Sequence, residues 1–73
     1  MTNGQIRPGR KLRIQRVTAG LRQSDLSELA GLHQTAISHL ELGKRGTSRE
    51  TLAVLADVLG CDIGDLMPDQ VAA

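Results

Sequence analysis

Phenylalanine, tyrosine and tryptophan are all absent from this chain of 73 residues, so its core lacks a large aromatic anchor and must be assembled from Leu, Ile, Val, Ala and Met carried on several elements. That composition favours a compact helical bundle. A chain this short hides only about 60% of the surface it exposes when unfolded, so its stability is expected to be marginal. Cysteine occurs once, as Cys61, which excludes an internal disulfide framework and fits a reducing compartment. Free cysteines are commonly buried, so Cys61 reads as a small core or semi-buried residue. Long apolar runs are missing and the N-terminus carries no hydrophobic signal core, which supports neither membrane insertion nor export and points to the cytoplasm. No stretch alternates with a period of two for long enough to predict a strand, and there is no internal repeat. Catalysis also lacks its parts: no nucleophile with a base, no nucleotide loop and no metal cluster is visible. His33 and His39 fall on different faces of a helix rather than forming an i,i+4 metal pair, and Cys61 has no CxxC partner. The expected protein is not an enzyme and holds neither cofactor nor metal.

What is present is an uneven distribution of charge. The formal net charge is only +1, yet residues 1–22 hold Arg7, Arg10, Lys11, Arg13, Arg16 and Arg22 with no acid, whereas residues 50–73 hold Glu50, Asp57, Asp62, Asp65 and Asp69 with no base. One end is suited to a polyanion and the other is not.

The pattern predicts five helices. Residues 1–8, with Asn3, Gly4 and Pro8, read as a flexible arm; residues 9–67 form the folded domain; residues 68–73 are a C-terminal tail, frayed over 69–73. A basic amphipathic helix begins near Gly9 and stops at Gly20, where a left-handed residue commonly ends a helix. A second, over 23–30, places Leu26, Leu29 and Ala30 at the spacing of one buried face before Gly31 interrupts it. A third, over 34–42, sets Ile37 and Leu40 on one side and ends at Gly43. Thr47 with Glu50 makes a capping-box pattern for the fourth, and Ser48 is an equal candidate for its cap. The apolar stripe of that helix is Leu52, Leu55, Ala56 and Leu59, terminated by Gly60. Asp62 can cap a last short helix through Leu66, ahead of Pro68.

The phase relation between the second and third helices carries the function. Counted from Gln23, the positions Leu26, Ala30, Leu32, Ile37 and Leu40 are the buried ones of a helix-turn-helix, and Gly31 falls where the tight turn needs positive φ. With Ile37 and Leu40 facing inward, at about 100° per residue, Thr35, Ser38, His39 and Leu42 project outward, and Gln34 stands at the N-terminal tip. Short polar side chains there can reach base edges: glutamine pairs with adenine, a threonine methyl meets a thymine methyl, and serine donates or accepts. Helix N-termini also attract phosphate. Lys44 and Arg45 in the loop after the third helix, with Arg10 and Arg13 on the first, are candidate phosphate contacts that position rather than specify. Ile63, Leu66, Met67 and Val71 are more apolar groups than a chain end usually needs.

Several linked segments resemble the lambda-repressor-like family, the Cro and phage-repressor type of helix-turn-helix also called the XRE family. They are Arg16 four before Gly20, the run Gly20-Leu21-Arg22-Gln23, the turn Ala30-Gly31-Leu32, the helix Gln34-Thr35-Ala36-Ile37-Ser38-His39-Leu40-Glu41, the segment Leu42-Gly43-Lys44-Arg45, and the stretch from Leu59 to Leu66. The resemblance covers residues 9–67. It implies an all-α five-helix bundle that binds double-stranded DNA, usually as a homodimer on an operator of two related half-sites, with the apolar groups of the last helix, Ile63, Leu66 and Met67, and Val71 beyond it, as the expected dimer seam. It implies further that Gln23 bonds a phosphate, that Gln34, Thr35, Ser38 and His39 face the bases, and that Arg16 pairs with Glu41 as a structural ion pair. Two departures stand out. Arg22 and His33 occupy cap positions where the family usually has Ser or Thr, with Asp25 placed to compensate at the first; Ser27 replaces a common alanine and brings a hydroxyl that needs a partner. A protein-interaction module of the same fold, an antitoxin or bridging factor, is the alternative reading. Phage repressor, restriction–modification controller and autoregulator remain equal candidate roles.

Overall fold

The structure is a computed structural model and describes residues 6–68. Among the described residues four α-helices follow one another, α1 (Arg10–Thr18), α2 (Gln23–Ala30), α3 (Gln34–Leu42) and α4 (Arg49–Leu59), and after them comes a 3₁₀ turn, Ile63–Asp65. The fold is all-helical, but the expected fifth helix does not form. Gly64 sits inside that segment and disfavours continued helix, Pro68 offers no backbone donor to extend it, and only tight bonds such as Leu66 N–H to Ile63 C=O (3.0 Å) are made. No helix among the described residues is long and apolar enough to cross a membrane.

The core draws on all four α-helices and on the residue that follows the 3₁₀ turn: Leu12 of α1, Leu26 of α2, Ile37 and Leu40 of α3, Leu52, Leu55 and Ala56 of α4, and Leu66. Ala30, Leu32, Leu59, Cys61, Ile63 and Met67 pack against it, each partly buried. Leu29 departs from the sequence reading. It is 61% exposed, because α2 meets α3 and α4 through the side of Leu26 and Ala30 and turns its other flank to solvent. Leu66 departs in the opposite sense. It is 0% exposed within the single chain, so it completes the core and has no surface to give to a dimer seam. Val71 lies outside the described residues.

Local chemistry explains where the helices start and stop. Arg22 has no acceptor to cap α2, and Asp25 compensates: its carboxylate accepts the Arg22 backbone N–H at 2.9 Å, which keeps Asp25 below the usual carboxylate range. The Ser27 hydroxyl donates to the Ser24 carbonyl at 3.0 Å and is thereby satisfied. Gly31 takes φ 71°, and the N–H groups of Gly31 and Leu32 fold back onto the carbonyls of Glu28 and Ser27, which ends α2 and redirects the chain into α3. His33 makes no side-chain cap to α3. At α4 the cap is Ser48, whose hydroxyl oxygen accepts the Thr51 N–H at 3.1 Å. Thr47 has a different task. It pairs with Ile6 in an antiparallel bridge, through two backbone bonds of 2.8 Å. The inner end of the expected free arm is therefore fixed: Ile6 is bridged, Pro8 is buried, and the Gly9 N–H donates to the Leu40 carbonyl at 3.0 Å.

Candidate functional site

The inner face of α3 is held by more than apolar contact. Glu41 is 7% exposed, and its two carboxylate oxygens are shared between α1 and α2. Arg16 donates from Nε to Oε2 at 2.5 Å and from Nη2 to Oε1 at 3.1 Å, while Gln23 donates from Nε2 to the same Oε1 at 3.0 Å. A further Arg16 donor, Nη1, reaches the Leu21 carbonyl at 2.8 Å. Bidentate guanidinium–carboxylate pairing fixes geometry as well as charge. The hydrogen bonds to Glu41 push Arg16 above its already high ordinary value, outweighing the opposite pull of burial. Three helices are thus tied at one carboxylate, in the pairing expected for Arg16 and Glu41.

This network also orients Gln23. With one amide hydrogen committed to Glu41, Gln23 keeps a second N–H and its carbonyl oxygen for another partner. Its side chain borders two open recesses on the α3 surface. One is lined by Gln23, Gln34, Thr35 and Ser38. The other, a cleft of about 550 Å³, is lined by Gly9, Arg10, Arg13, Arg16, Gln23, Ser38, Glu41 and Leu42. Gln23 and Ser38 belong to both, so the polar tip of α3 and the arginines of α1 form one continuous surface.

Gln34 and Thr35 are exposed and Ser38 and His39 half-buried. Among the described residues none of these four side chains makes a hydrogen bond. His39 borders neither recess. Lys44 and Arg45 are exposed beyond the left-handed Gly43. Arg10 and Arg13 therefore lie along one side of α3, while Lys44 and Arg45 follow its C-terminal end.

Two residues were not singled out for the site by sequence reasoning. Leu42 is 64% exposed and lines the arginine cleft; the helical period puts it on the outward face. Arg7 donates from Nη1 to the Gly43 carbonyl at 3.5 Å, a contact across the fold that no local spacing announces. Cys61 is half-buried, and its thiol is pushed up by burial first and then by Asp65 and Asp62.

A family model described as a helix-turn-helix domain matches residues 9–69. Among solved structures, the chain is similar to the restriction-modification controller protein C.AhdI from Aeromonas hydrophila, with 31% identity and a TM-score of 0.78 over 85% of this chain and 94% of that one. It is also similar to the clp gene regulator ClgR from C. glutamicum, with 30% identity and a TM-score of 0.77 over 81% of this chain and 76% of that one. No match was found among curated protein sequences.

Proposed function

Since the chain belongs to the helix-turn-helix domain family, as a DNA-binding protein of the Cro and phage-repressor type, we propose that it regulates transcription by reading the major groove of a specific operator with α3, as a homodimer on two half-sites. The observation that carries this reading is the unpartnered polar edge of α3. Among the described residues the side chains of Gln34, Thr35 and Ser38 make no hydrogen bond, while the opposite face is locked by Ile37, Leu40 and the Arg16–Glu41 pair. In this proposal Gln34, Thr35, Ser38 and His39 face the bases. Gln23, Arg10, Arg13, Lys44 and Arg45 contact phosphates and set the register. Ile63 and Met67, both partly buried at the acidic end, contribute to the dimer seam. Likeness to a controller protein and to a gene regulator supports transcriptional control as the role.

The test is selection of bound duplexes from a random pool, followed by binding of the Gln34→Ala/Thr35→Ala variant to the selected sequence. Expected are a preferred sequence with two-fold symmetry and loss of that preference in the variant, with fold and assembly state retained. A sequence preference unchanged in the variant overturns the base-reading assignment, and a wild type that selects no duplex favours the protein-interaction module. If each protomer neutralises about four phosphates, log K should fall with log salt with a slope of about −3.6 per protomer. Sedimentation showing monomer alone, with and without operator, would remove the dimer.

A further inference from the structure

The bridge between Ile6 and Thr47 joins two segments that the sequence keeps apart: the chain leading into α1 and the loop leaving α3. Its consequence falls on Arg7. The backbone on either side of this residue is fixed, by the paired 2.8 Å bonds of Ile6 and by the burial of Pro8. The Arg7 side chain is exposed yet directed, reaching the Gly43 carbonyl at 3.5 Å where α3 ends. Gly43, at φ 75°, turns the chain so that Lys44 and Arg45 follow at once, both exposed. Three cationic side chains from two distant stretches of sequence are thereby gathered at the C-terminal end of α3.

We propose that Arg7 is a phosphate-binding residue that completes a clamp with Lys44 and Arg45 on the phosphodiester backbone of duplex DNA. This rests on the DNA-reading function proposed above and adds a contact to it. A guanidinium has five N–H donors in a rigid fork. The Gly43 carbonyl occupies one, leaving the outer donors to meet phosphate oxygens in the bidentate geometry that suits arginine. Anchoring of the neighbouring backbone reduces the freedom lost on binding, so the contact is preorganised. Arg7 lies at the far end of α3 from Gln34 and Thr35, so it adds affinity without altering which sequence is preferred.

The experiment measures binding of the full chain to its selected duplex across a salt series, for the wild type, Arg7→Gln and Arg7→Lys, with thermal unfolding of each. For Arg7→Gln the salt slope becomes shallower by about 0.9 per protomer, the sequence preference is unchanged and the thermal midpoint is retained; Arg7→Lys restores the slope. An Arg7→Gln slope equal to that of the wild type overturns the clamp, whether or not its thermal midpoint falls, because a residue that merely tethers α3 affects stability and not counterion release. A wild type that shows no duplex binding at any salt overturns the underlying DNA-reading function instead, and is visible before either variant is made.

Discussion

The two faces of α3 obey opposite rules. Inward, Ile37 and Leu40 are wholly or nearly wholly buried, and Glu41 has both oxygens engaged by residues from two other helices. Outward, Gln34 and Thr35 are exposed, and among the described residues their side chains have no hydrogen-bond partner. Both faces contain polar residues, so polarity alone does not distinguish them; satisfaction of hydrogen bonds does. A buried polar group without partners costs stability, whereas an exposed one has water until a ligand replaces it. Changes to the inner face should therefore act on folding and changes to the outer face on binding.

The largest separation is expected at Glu41. Glu41→Ala strands Arg16, whose side chain is only 12% exposed, and should cost about 3–5 kcal/mol. Against a total stability of about 5–15 kcal/mol for a typical domain, that brings a chain of this size near its limit. Urea unfolding measures the loss. Replacing both partners together, as Arg16→Met with Glu41→Leu, should recover most of it, since an apolar pair leaves no buried charge uncompensated. A single variant as stable as the wild type would show that the tie among three helices is dispensable.

Next come two leucines that the sequence ranks wrongly. Leu66→Ala should destabilise by about 2–5 kcal/mol, and Leu29→Ala by no more than about 0.5 kcal/mol, because the first is wholly buried and the second 61% exposed. Chemical denaturation of the monomeric state, at concentrations where any dimer has dissociated, separates a core role for Leu66 from an interface role. Equal losses for the two variants would contradict the packing described.

These leucines mark the limit of what the sequence discloses. The α2 and α3 boundaries follow from Gln23, Gly31, Gln34 and Gly43, since each glycine adopts the left-handed conformation that its position in the pattern required. Ile37 and Leu40 are likewise legible, because a helical period fixes which residues share a face. Leu29 and Leu66 are not, because periodicity gives the direction of a side chain and not where a neighbouring helix stops covering it. The Ile6–Thr47 bridge and the contact from Arg7 to Gly43 are less legible still. They depend on two remote segments meeting in space, and neither has a local signature. At the candidate site, the polar tip of α3 could be read residue by residue, whereas sharing of Glu41 by Arg16 and Gln23 required the family pattern for one partner and the folded chain for the other.

A smaller effect belongs to the hinge that sets the two faces apart. An alanine Cβ at Gly31 would meet nothing within 4 Å, so Gly31→Ala is resisted only by its positive φ. The expected cost is roughly 1–2 kcal/mol, from forcing an L-residue into the left-handed region. Thermal unfolding checks this. A stabilised variant would mean that the turn relaxes without disturbing α3, and that the angle between α2 and α3 is set elsewhere.

The smallest effect is expected at the start of α2, and it is sharpened by pH. Asp25 titrates below the usual carboxylate range, chiefly because its carboxylate accepts the Arg22 backbone N–H, with a lesser contribution from the Arg22 guanidinium at 3.4 Å. A carboxyl group whose folded pKa lies below its unfolded one stabilises the fold fully above the unfolded value. That contribution disappears as pH falls through the folded one. Asp25→Asn removes this dependence while keeping a side-chain oxygen for the cap, so its stability should match the wild type more closely in acid than at neutral pH. Because the Asp25 side chain is about one-third exposed, the gap at neutral pH should be small and should shrink further with added salt, which screens the charged part of the interaction. Curves of stability against pH that stay parallel for the two proteins down through the acidic range would show that the Asp25 cap contributes nothing through its charge, and that α2 is started by its packing on α3 and α4 alone.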